Sequence, residues 1–257
     1  MRKVNAQYNV AAPRSFADRV AMRARRKMFQ CFLRFAQPSA SDLALDVGAT
    51  SDRSYESSNY FEAWYPYRDR VVAVGLEPES LIERDFPGVR YVCADGLALP
   101  FRDRSVDIVH ASAVIEHVGS RDQQKRFIVE LCRVARRCVF LTTPNRFYPL
   151  EFHTLLPLVH WLPQPVFHRA LQMTGRAAFA DEAVLNLLGG GGLACLARVP
   201  GWAFRIDRIR LLGLPSNLLL LMWRASDSIA DDDRGQVGDR RADAVPRRGN
   251  YRSRTET

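Results

Sequence analysis

The sequence predicts an α/β protein with a doubly wound, mostly parallel seven-stranded sheet that ends in an antiparallel hairpin. Short segments of strand length alternate with helix-like patterns, and most of these segments are apolar at nearly every position. This pattern is typical of parallel strands whose two faces are covered by helices. Acidic residues and glycines close the first three segments, and doubly wound sheets bind ligands at such strand ends.

The predicted strands follow one another along the chain. A helix over 121–136 separates the fourth strand from the fifth, because Phe127 and Leu131 belong to an apolar stripe at helical spacing. The last two strands are joined by a turn at 213–216, which predicts the closing hairpin. We expect the seven strands at 43–47, 71–76, 90–94, 106–110, 138–142, 204–212 and 217–223.

An insertion over about 145–192 interrupts the alternation after the fifth strand. Prolines break it up, and it is rich in aromatic residues and histidines. We expect it to cover the strand ends as a lid, the alternative being that its aromatic residues merely pack on the domain. The four glycines at 189–192 follow no strand, so they predict a flexible loop and no phosphate cradle.

Charge divides the chain into three predicted regions. Residues 1–41 are predicted to form a basic helical segment. Positions 1–40 hold nine Lys or Arg and one Asp, so they carry nearly all of the formal net charge of +9. A helix over 16–35 is expected there, either packed on the domain edge or lying on an anionic membrane surface. Residues 42–225 form the folded domain, and 226–257 form a disordered tail with seven basic and seven acidic residues.

Composition narrows the function classes. No apolar run in the chain approaches the length of roughly 20 residues that is needed to span a bilayer. The basic residues at the N-terminus are not followed by the apolar segment of a secretory signal. Five scattered cysteines without a C-x-x-C pair favour a reducing cytoplasm, with the inner membrane face as a peripheral location. Because the positive charge is confined to one terminal segment, nucleic acid is not a favoured partner.

Acidic residues and glycines meet at the carboxyl edge of the predicted sheet. Asp46 and Gly48 close the first strand, and Glu77 closes the second. The third strand ends in a run A-D-G-L-A-L-P-F over 94–101, which leads into S-V-D-I-V over 105–109. The missing Cβ of a glycine at such a turn lets a ligand approach the backbone closely.

In order and spacing, these segments resemble the class I S-adenosylmethionine-dependent methyltransferases of the type 11 kind, which have a Rossmann-like fold. The resemblance covers about residues 42–145 and includes the A-S-A-V-I-E-H-V run over 111–118. It implies an enzyme that uses S-adenosylmethionine to methylate a small-molecule, lipid or glycan acceptor. Thr50 and Asp52 stand where the family has glycines, so a non-catalytic regulatory protein with a degenerate cofactor loop is the alternative.

The resemblance also implies roles for single residues. Glu77 would accept hydrogen bonds from the ribose hydroxyls, and Asp95 would hold the adenine amine beside Gly96. Thr50 and Ser51 would hydrogen-bond to the methionine end of the cofactor. The expected cofactor-binding residues are Asp46, Gly48, Thr50, Ser51, Glu77, Asp95, Gly96, Ser112 and Glu116.

A general base is expected on the loops after the fourth and fifth strands, where the acceptor would lie. His117 is the first candidate because imidazole titrates near neutrality, although a local hydrogen bond at a helix start would also explain it. Glu151 and His153 form a second candidate pair, in the insertion. The histidines of the insertion match no compact metal motif, so no metal is expected.

Overall fold

The computed structural model describes residues 16–51, 58–149, 158, 161–162, 164–174 and 184–225. Seven strands in this part of the chain form one sheet. They are β1 (Ala44–Val47), β2 (Val71–Gly75), β3 (Arg90–Cys93), β4 (Val106–Ser112), β5 (Ala135–Pro144), β6 (Trp202–Leu211) and β7 (Leu214–Arg224). The helices are α1 (Phe16–Ala36), α2 (Tyr60–Trp64), α3 (Ile82–Asp85), α4 (Arg121–Val134), α5 (Gln164–Met173) and α6 (Gly190–Leu196), with 3₁₀ turns at Arg68–Arg70 and Ile115–His117.

The strand order is β3-β2-β1-β4-β5-β7-β6. The first five strands are parallel, and β7 pairs antiparallel with both β5 and β6. The strand order turns back between β1 and β4, which is the point where doubly wound sheets open a crevice for a ligand. The predicted Rossmann-like α/β fold with a closing hairpin is therefore confirmed.

Helices cover both faces of the sheet. On one face, α4 buries Phe127 and Leu131 against the central strands. This helix begins at Ser120 with a capping box: the Ser120 hydroxyl accepts from the Gln123 N–H, and the Gln123 side chain accepts from the Ser120 N–H. The capping box supplies acceptors for N–H groups at the start of the helix, which have no partner within the helix. It therefore fixes where α4 starts after the 3₁₀ turn.

On the other face, α1 packs its apolar side against the sheet. Phe32 is completely buried, and its ring lies 5.3 Å from that of Phe61 and 5.5 Å from that of Phe140. Because this apolar side is covered, α1 is a packed helix of the domain, the first of the two alternatives considered for it. No helix in the described part of the chain is long and apolar enough to cross a membrane.

Two predicted turns differ in the structure, and α4 ends at Val134, two residues earlier than predicted, because β5 already begins at Ala135. The stretch 189–192 is not a flexible loop, because Gly190 opens α6 and Gly189 caps it. The hairpin turns at Leu212 and Gly213, both with positive φ, and not at 213–216. A two-residue turn of this kind matches the twist of the strands that it joins, and β7 therefore begins three residues earlier than predicted. The stretches 1–15 and 226–257 lie outside the described residues, and the predicted domain bounds stay a prediction.

The buried position of Phe32 leads to a stability prediction. Replacing Phe32 with Ala removes a ring that packs against four aromatic rings and the His110 imidazole, so the free energy of unfolding should fall by about 3–5 kcal/mol. Val129→Ala, at a half-exposed position of α4, is the control and should change it by less than about 1 kcal/mol. Denaturant melts of both variants measure this. Equal melts for Phe32→Ala and the unmodified chain would mean that α1 does not belong to the folded core.

Candidate active site

The candidate site lies at the carboxyl ends of β1, β2, β4 and β5. Asp46 on β1 and His110 on β4 are direct partners in the parallel register, so their side chains project from the same face side by side. The His110 Nδ1 contacts the Asp46 carboxylate, and the His110 Nε2 lies 3.1 Å from the Tyr60 hydroxyl. All three side chains are buried. They form a polar row at the point where the strand order reverses.

Aromatic rings enclose the His110 side chain. It stacks between Phe61 at 4.3 Å and Phe140 at 5.9 Å, measured between ring centroids. Burial lowers the pKa of His110 to about 3, so the ring is neutral. A neutral ring next to a carboxylate donates from Nδ1 to Asp46 and accepts at Nε2 from the Tyr60 O–H.

Glu62 of α2 adds a second buried carboxyl beside Asp46. Its side chain is completely covered, and neither of its oxygens has a hydrogen-bond partner within the described residues. Burial raises the pKa of Asp46 to about 7. Burial, with the neighbouring Asp46 charge, raises the pKa of Glu62 well above its usual range.

The loop after β1 starts with a glycine that no other residue can replace. Gly48 has φ +110°, and a Cβ there would lie 2.2 Å from the Val114 Cγ2. The N–H groups of Gly48 and Ala49 both donate to the Val74 carbonyl, at 2.8 and 2.9 Å. These bonds hold the start of the loop tightly against the end of β2.

Thr50 and Ser51 continue this loop, and the structure joins them to Glu77. The Glu77 carboxylate accepts from the Thr50 hydroxyl at 3.1 Å and from the Ser51 N–H at 3.0 Å. Asn59 clamps the main chain of Thr50, accepting its N–H at 3.2 Å and donating to its carbonyl at 2.6 Å. The N–H groups of residues 48–51 therefore all donate to protein acceptors, and polar side chains anchor a loop that glycines shape in the family pattern.

The ends of β2 and β3 carry the next two expected residues. The Tyr91 hydroxyl accepts from the Glu77 N–H at 3.1 Å and donates to the Glu77 carbonyl at 3.0 Å. Asp95 is exposed, and its side chain accepts from the Leu97 N–H at 2.9 Å. A Cβ on Gly96 would lie 2.7 Å from the Phe127 ring, so close packing on α4 is one reason for a glycine there.

Hydroxyl and carboxyl groups gather at the ends of β4 and β5. The hydroxyls of Ser112 and Thr142 lie 2.9 Å apart across these strands. The Glu116 carboxyl is completely buried and accepts from the Thr143 hydroxyl at 3.0 Å. This bond ties the 3₁₀ turn after β4 to the end of β5.

His117 lies at the end of the same 3₁₀ turn. Its Nδ1 lies 2.6 Å from the Val184 carbonyl, which accepts only, so Nδ1 carries the proton. The neighbouring Asn186 donates its N–H to the Glu116 carbonyl at 2.7 Å, so residues 184–188 return to the strand ends. Glu151 and His153 lie outside the described residues.

Sequence reasoning missed three residues that shape this site. His110 contacts Asp46 and Asn59 hydrogen-bonds to Thr50, while Glu62 is completely buried in α2, the helix that Asn59 precedes. His110 was detectable as a polar side chain at the end of the predicted strand over 106–110, directly after the apolar residues 108–109. Nothing in the sequence distinguished Glu62 or Asn59.

Comparison with known proteins matches part of the chain to one family. Residues 45–141 match the family model described as a methyltransferase domain. A demethylmenaquinone methyltransferase from Roseiflexus sp. strain RS-1 is 28% identical over 198 residues, covering 69% of this chain and 75% of the relative.

Solved structures agree on the fold. The magnesium protoporphyrin IX methyltransferase from Synechocystis PCC 6803 with bound S-adenosylhomocysteine aligns with a TM-score of 0.51 at 12% identity, over 82% of this chain and 88% of that one. A possible histamine N-methyltransferase from Thermotoga maritima aligns with a TM-score of 0.51 at 14% identity, over 81% and 91%. Over residues 45–141 the chain is therefore a methyltransferase domain, and it is similar to the class I S-adenosylmethionine-dependent methyltransferases. It is an enzyme whose cofactor is S-adenosylmethionine.

The conformation of Gly48 leads to a prediction about the cofactor loop. Gly48→Ala would force a Cβ into Val114 at a positive φ, a strain of about 1–3 kcal/mol, so both stability and cofactor affinity should fall. Gly191→Ala is the matched control, because its Cβ would meet nothing within 4 Å; it should stabilise α6 by about 0.5–1 kcal/mol. Thermal melts with and without S-adenosylmethionine measure both effects. Similar behaviour of the two variants would contradict the prediction.

Proposed function

We propose that this methyltransferase acts on a small-molecule, lipid or glycan acceptor that lies over the carboxyl ends of β4 and β5. The observation that carries the proposal is the group of polar side chains there, next to His117 and beneath the returning segment 184–188. Placing the acceptor over these strands leaves the ends of β1, β2 and β3 for the cofactor. This division follows the crevice between β1 and β4.

Residues at the ends of β1 to β3 fit an adenosine group. Glu77 is half-buried and already oriented by Thr50 and Ser51, and a carboxylate has the lone pairs to accept hydrogen bonds from two vicinal hydroxyls. Leu76 beside it keeps 51% of its surface exposed, which suits an aromatic ring. Asp95 offers a carboxylate for the adenine amine, while Asp46, Gly48, Ser112 and Glu116 complete the proposed set.

In this proposal, Thr50 and Ser51 act indirectly on the cofactor. Both bind Glu77, so we propose that they orient the ribose-binding carboxylate more than they contact the methionine end. Fixing the carboxylate before the ligand arrives lowers the entropic cost of binding. A loop of three glycines would lack these side chains.

The cofactor supplies an activated methyl group, so the protein must align the acceptor with that group and exclude water. An acceptor that is protonated at neutral pH also needs a base. The Val184 carbonyl fixes the proton of His117 on Nδ1, so the neutral imidazole carries its basic lone pair on Nε2. We propose that Nε2 takes the acceptor proton. Glu151 and His153 remain a proposed second acid–base pair.

Apolar side chains near the site favour an acceptor with an apolar part. Phe147, Trp161 and Leu162 of the insertion expose 63%, 47% and 41% of their surfaces. Two similar proteins are named for a quinone and a porphyrin acceptor, which supports an apolar ring compound among the proposed classes.

Peripheral contact with an anionic membrane is a further part of the proposal. The apolar side of α1 is buried, but the same helix carries four exposed basic side chains, those of Arg23, Arg26, Lys27 and Arg34. Such contact would therefore be electrostatic and weaken with salt. It would bring a lipid acceptor to the enzyme at the inner face of the membrane.

The proposed ribose contact predicts the effect of removing Glu77. Hydrogen bonds to a charged group contribute about 1.5–3 kcal/mol, so Glu77→Ala should weaken S-adenosylmethionine binding by roughly ten- to a hundredfold. Glu79→Ala removes an exposed carboxylate of the same turn and should leave the affinity unchanged. Isothermal titration calorimetry measures both. Unchanged affinity in Glu77→Ala would refute this assignment.

The proposed base predicts a catalytic defect at His117. An Asn at this position can still donate to the Val184 carbonyl but cannot accept the proton, so His117→Asn should lower kcat by about 10²–10⁴-fold. Its melting temperature and S-adenosylmethionine affinity should stay within error. Turnover is followed as S-adenosylhomocysteine release with quinone and phenol acceptors. If kcat is unchanged on a hydroxyl acceptor, His117 is not the base.

A further inference from the structure

Exposed apolar side chains gather beyond the carboxyl end of β5. Phe147 exposes 63% of its surface, and Leu212 at the turn of the last hairpin exposes 93%. Four more side chains of the insertion and the hairpin expose between 41% and 49%, those of Leu158, Trp161, Leu162 and Leu214. We call these six side chains the apolar rim.

The hairpin between β6 and β7 carries the rim furthest from the sheet. Pro144, the last residue of β5, pairs with Asn217 of β7, so Leu214 lies three residues, roughly 10 Å, beyond the end of β5. Leu212 has φ +50°, a conformation that Asn and Gly adopt far more readily than bulky residues. The backbone thus disfavours a leucine here, and the side chain gains no burial in compensation.

Hydrogen bonds join the hairpin to the start of the insertion. The Asn145 side chain donates to the Pro215 carbonyl at 2.8 Å, which ties the root of the hairpin to the segment that carries Phe147. The Trp161 indole N–H donates to the Arg146 carbonyl at 3.2 Å. The rim is therefore one connected surface, although its residues are far apart along the chain.

Basic side chains border the rim. Arg208 and Arg210 are exposed near the end of β6, which runs parallel to β5 and so ends at the same edge of the sheet. A Cβ on Gly189 would lie 2.5 Å from the Phe147 ring, and one on Gly190 would lie 3.5 Å from the Arg208 Nη2. Because these glycines are adjacent, the guanidinium lies close to the ring.

The first half of α1 adds positive charge at the same edge. Ala36, the last residue of α1, accepts from the Arg137 side chain near the start of β5 at 2.6 Å, and Phe32 packs on Phe140 further along the strand. The helix therefore runs antiparallel to β5, and its beginning lies toward the carboxyl ends of the strands. The exposed basic residues of that half include Arg19 and Arg23.

We propose that the apolar rim docks this enzyme on the surface of an anionic lipid bilayer, with Leu212 and Phe147 among the acyl chains and the neighbouring arginines on the lipid phosphates. A bilayer is fluid, apolar inside and anionic at its surface, so it accepts a projecting apolar tip that is bordered by cations. A protein partner would instead need a concave apolar pocket that fits the tip. The inference rests on the proposed acceptor site over β4 and β5, which this docking would turn toward the bilayer.

The first test measures cosedimentation of the full chain with vesicles of phosphatidylcholine and phosphatidylglycerol. Leu212→Asn removes the apolar tip, so partitioning into the vesicles should weaken at least about tenfold. Asn suits the positive φ, and the melting temperature should stay the same or rise. Val129→Gln, which removes an exposed apolar side chain from the outer face of α4, is the control and should bind like the unmodified chain. If Leu212→Asn does not fold, Leu214→Gln replaces it with the same expectation.

The second test removes the bordering charges. Replacing Arg208 and Arg210 together by Gln should weaken binding to these vesicles by about 10- to 30-fold, since each basic residue at an anionic surface contributes to affinity. The matched control replaces Arg90 and Arg102 by Gln. Both are exposed near the starts of β3 and β4, at the opposite edge of the sheet, so this pair should bind nearly as well as the unmodified chain. Equal losses for the two pairs would show attraction by net charge alone and overturn the proposal.

Turnover of water-soluble quinone and phenol acceptors without vesicles separates this proposal from the proposed function. If these acceptors are methylated but the chain does not bind the vesicles, or Leu212→Asn binds them equally well, the docking surface is refuted and the methyl-transfer proposal stands. If Leu212→Asn weakens vesicle binding but none of the acceptors is methylated, the docking surface stands and the acceptor assignment fails. A dimer that Leu212→Asn dissociates, without vesicle binding, would assign the rim to a second copy of the chain and overturn the proposal.

Discussion

The contact between Asp46 and His110 is the constraint on which the site depends. These residues are register partners on β1 and β4, the two strands between which the strand order reverses. A buried carboxylate needs donors, because desolvation of an unpaired charge is costly. His110 supplies a donor from the neighbouring strand of the sheet. This contact holds β1 against β4, and Asn59, just before α2, holds the loop that follows β1.

The loop after β1 is held by side chains where the family pattern has glycines. Glycines permit close approach of a ligand but lose more conformational entropy on folding. Thr50, Ser51, Asn59 and Glu77 instead form hydrogen bonds that shape the loop in advance. The departure from the glycine pattern is therefore compatible with an ordered cofactor site. The glycine that remains, Gly48, is the one whose φ and close contact with Val114 exclude a side chain.

Most of the architecture was predictable because strand and helix patterns are local. Apolar segments bounded by turn residues located the seven strands, and the apolar stripe containing Phe127 located α4. The errors fall where local signals were ambiguous. Glycines at 190–192 permit a loop equally well, and only packing of Leu193 in the core makes them the start of a helix. The turn at 212–213 needs a positive φ at Leu212, which the sequence does not favour.

The sequence by itself determined the fold class, the resemblance to a methyltransferase family and the strand ends where the proposed cofactor residues gather, since each depends on short motifs and their order. Only the tertiary structure decided which of those residues bind one another. It joins Thr50 to Glu77, Asp46 to His110 and His117 to Val184. These partners are 27 to 67 positions apart, and hydrogen bonds between such positions depend on the register of strands and the return of loops. No local pattern encodes that register, because it is set by how the whole sheet packs.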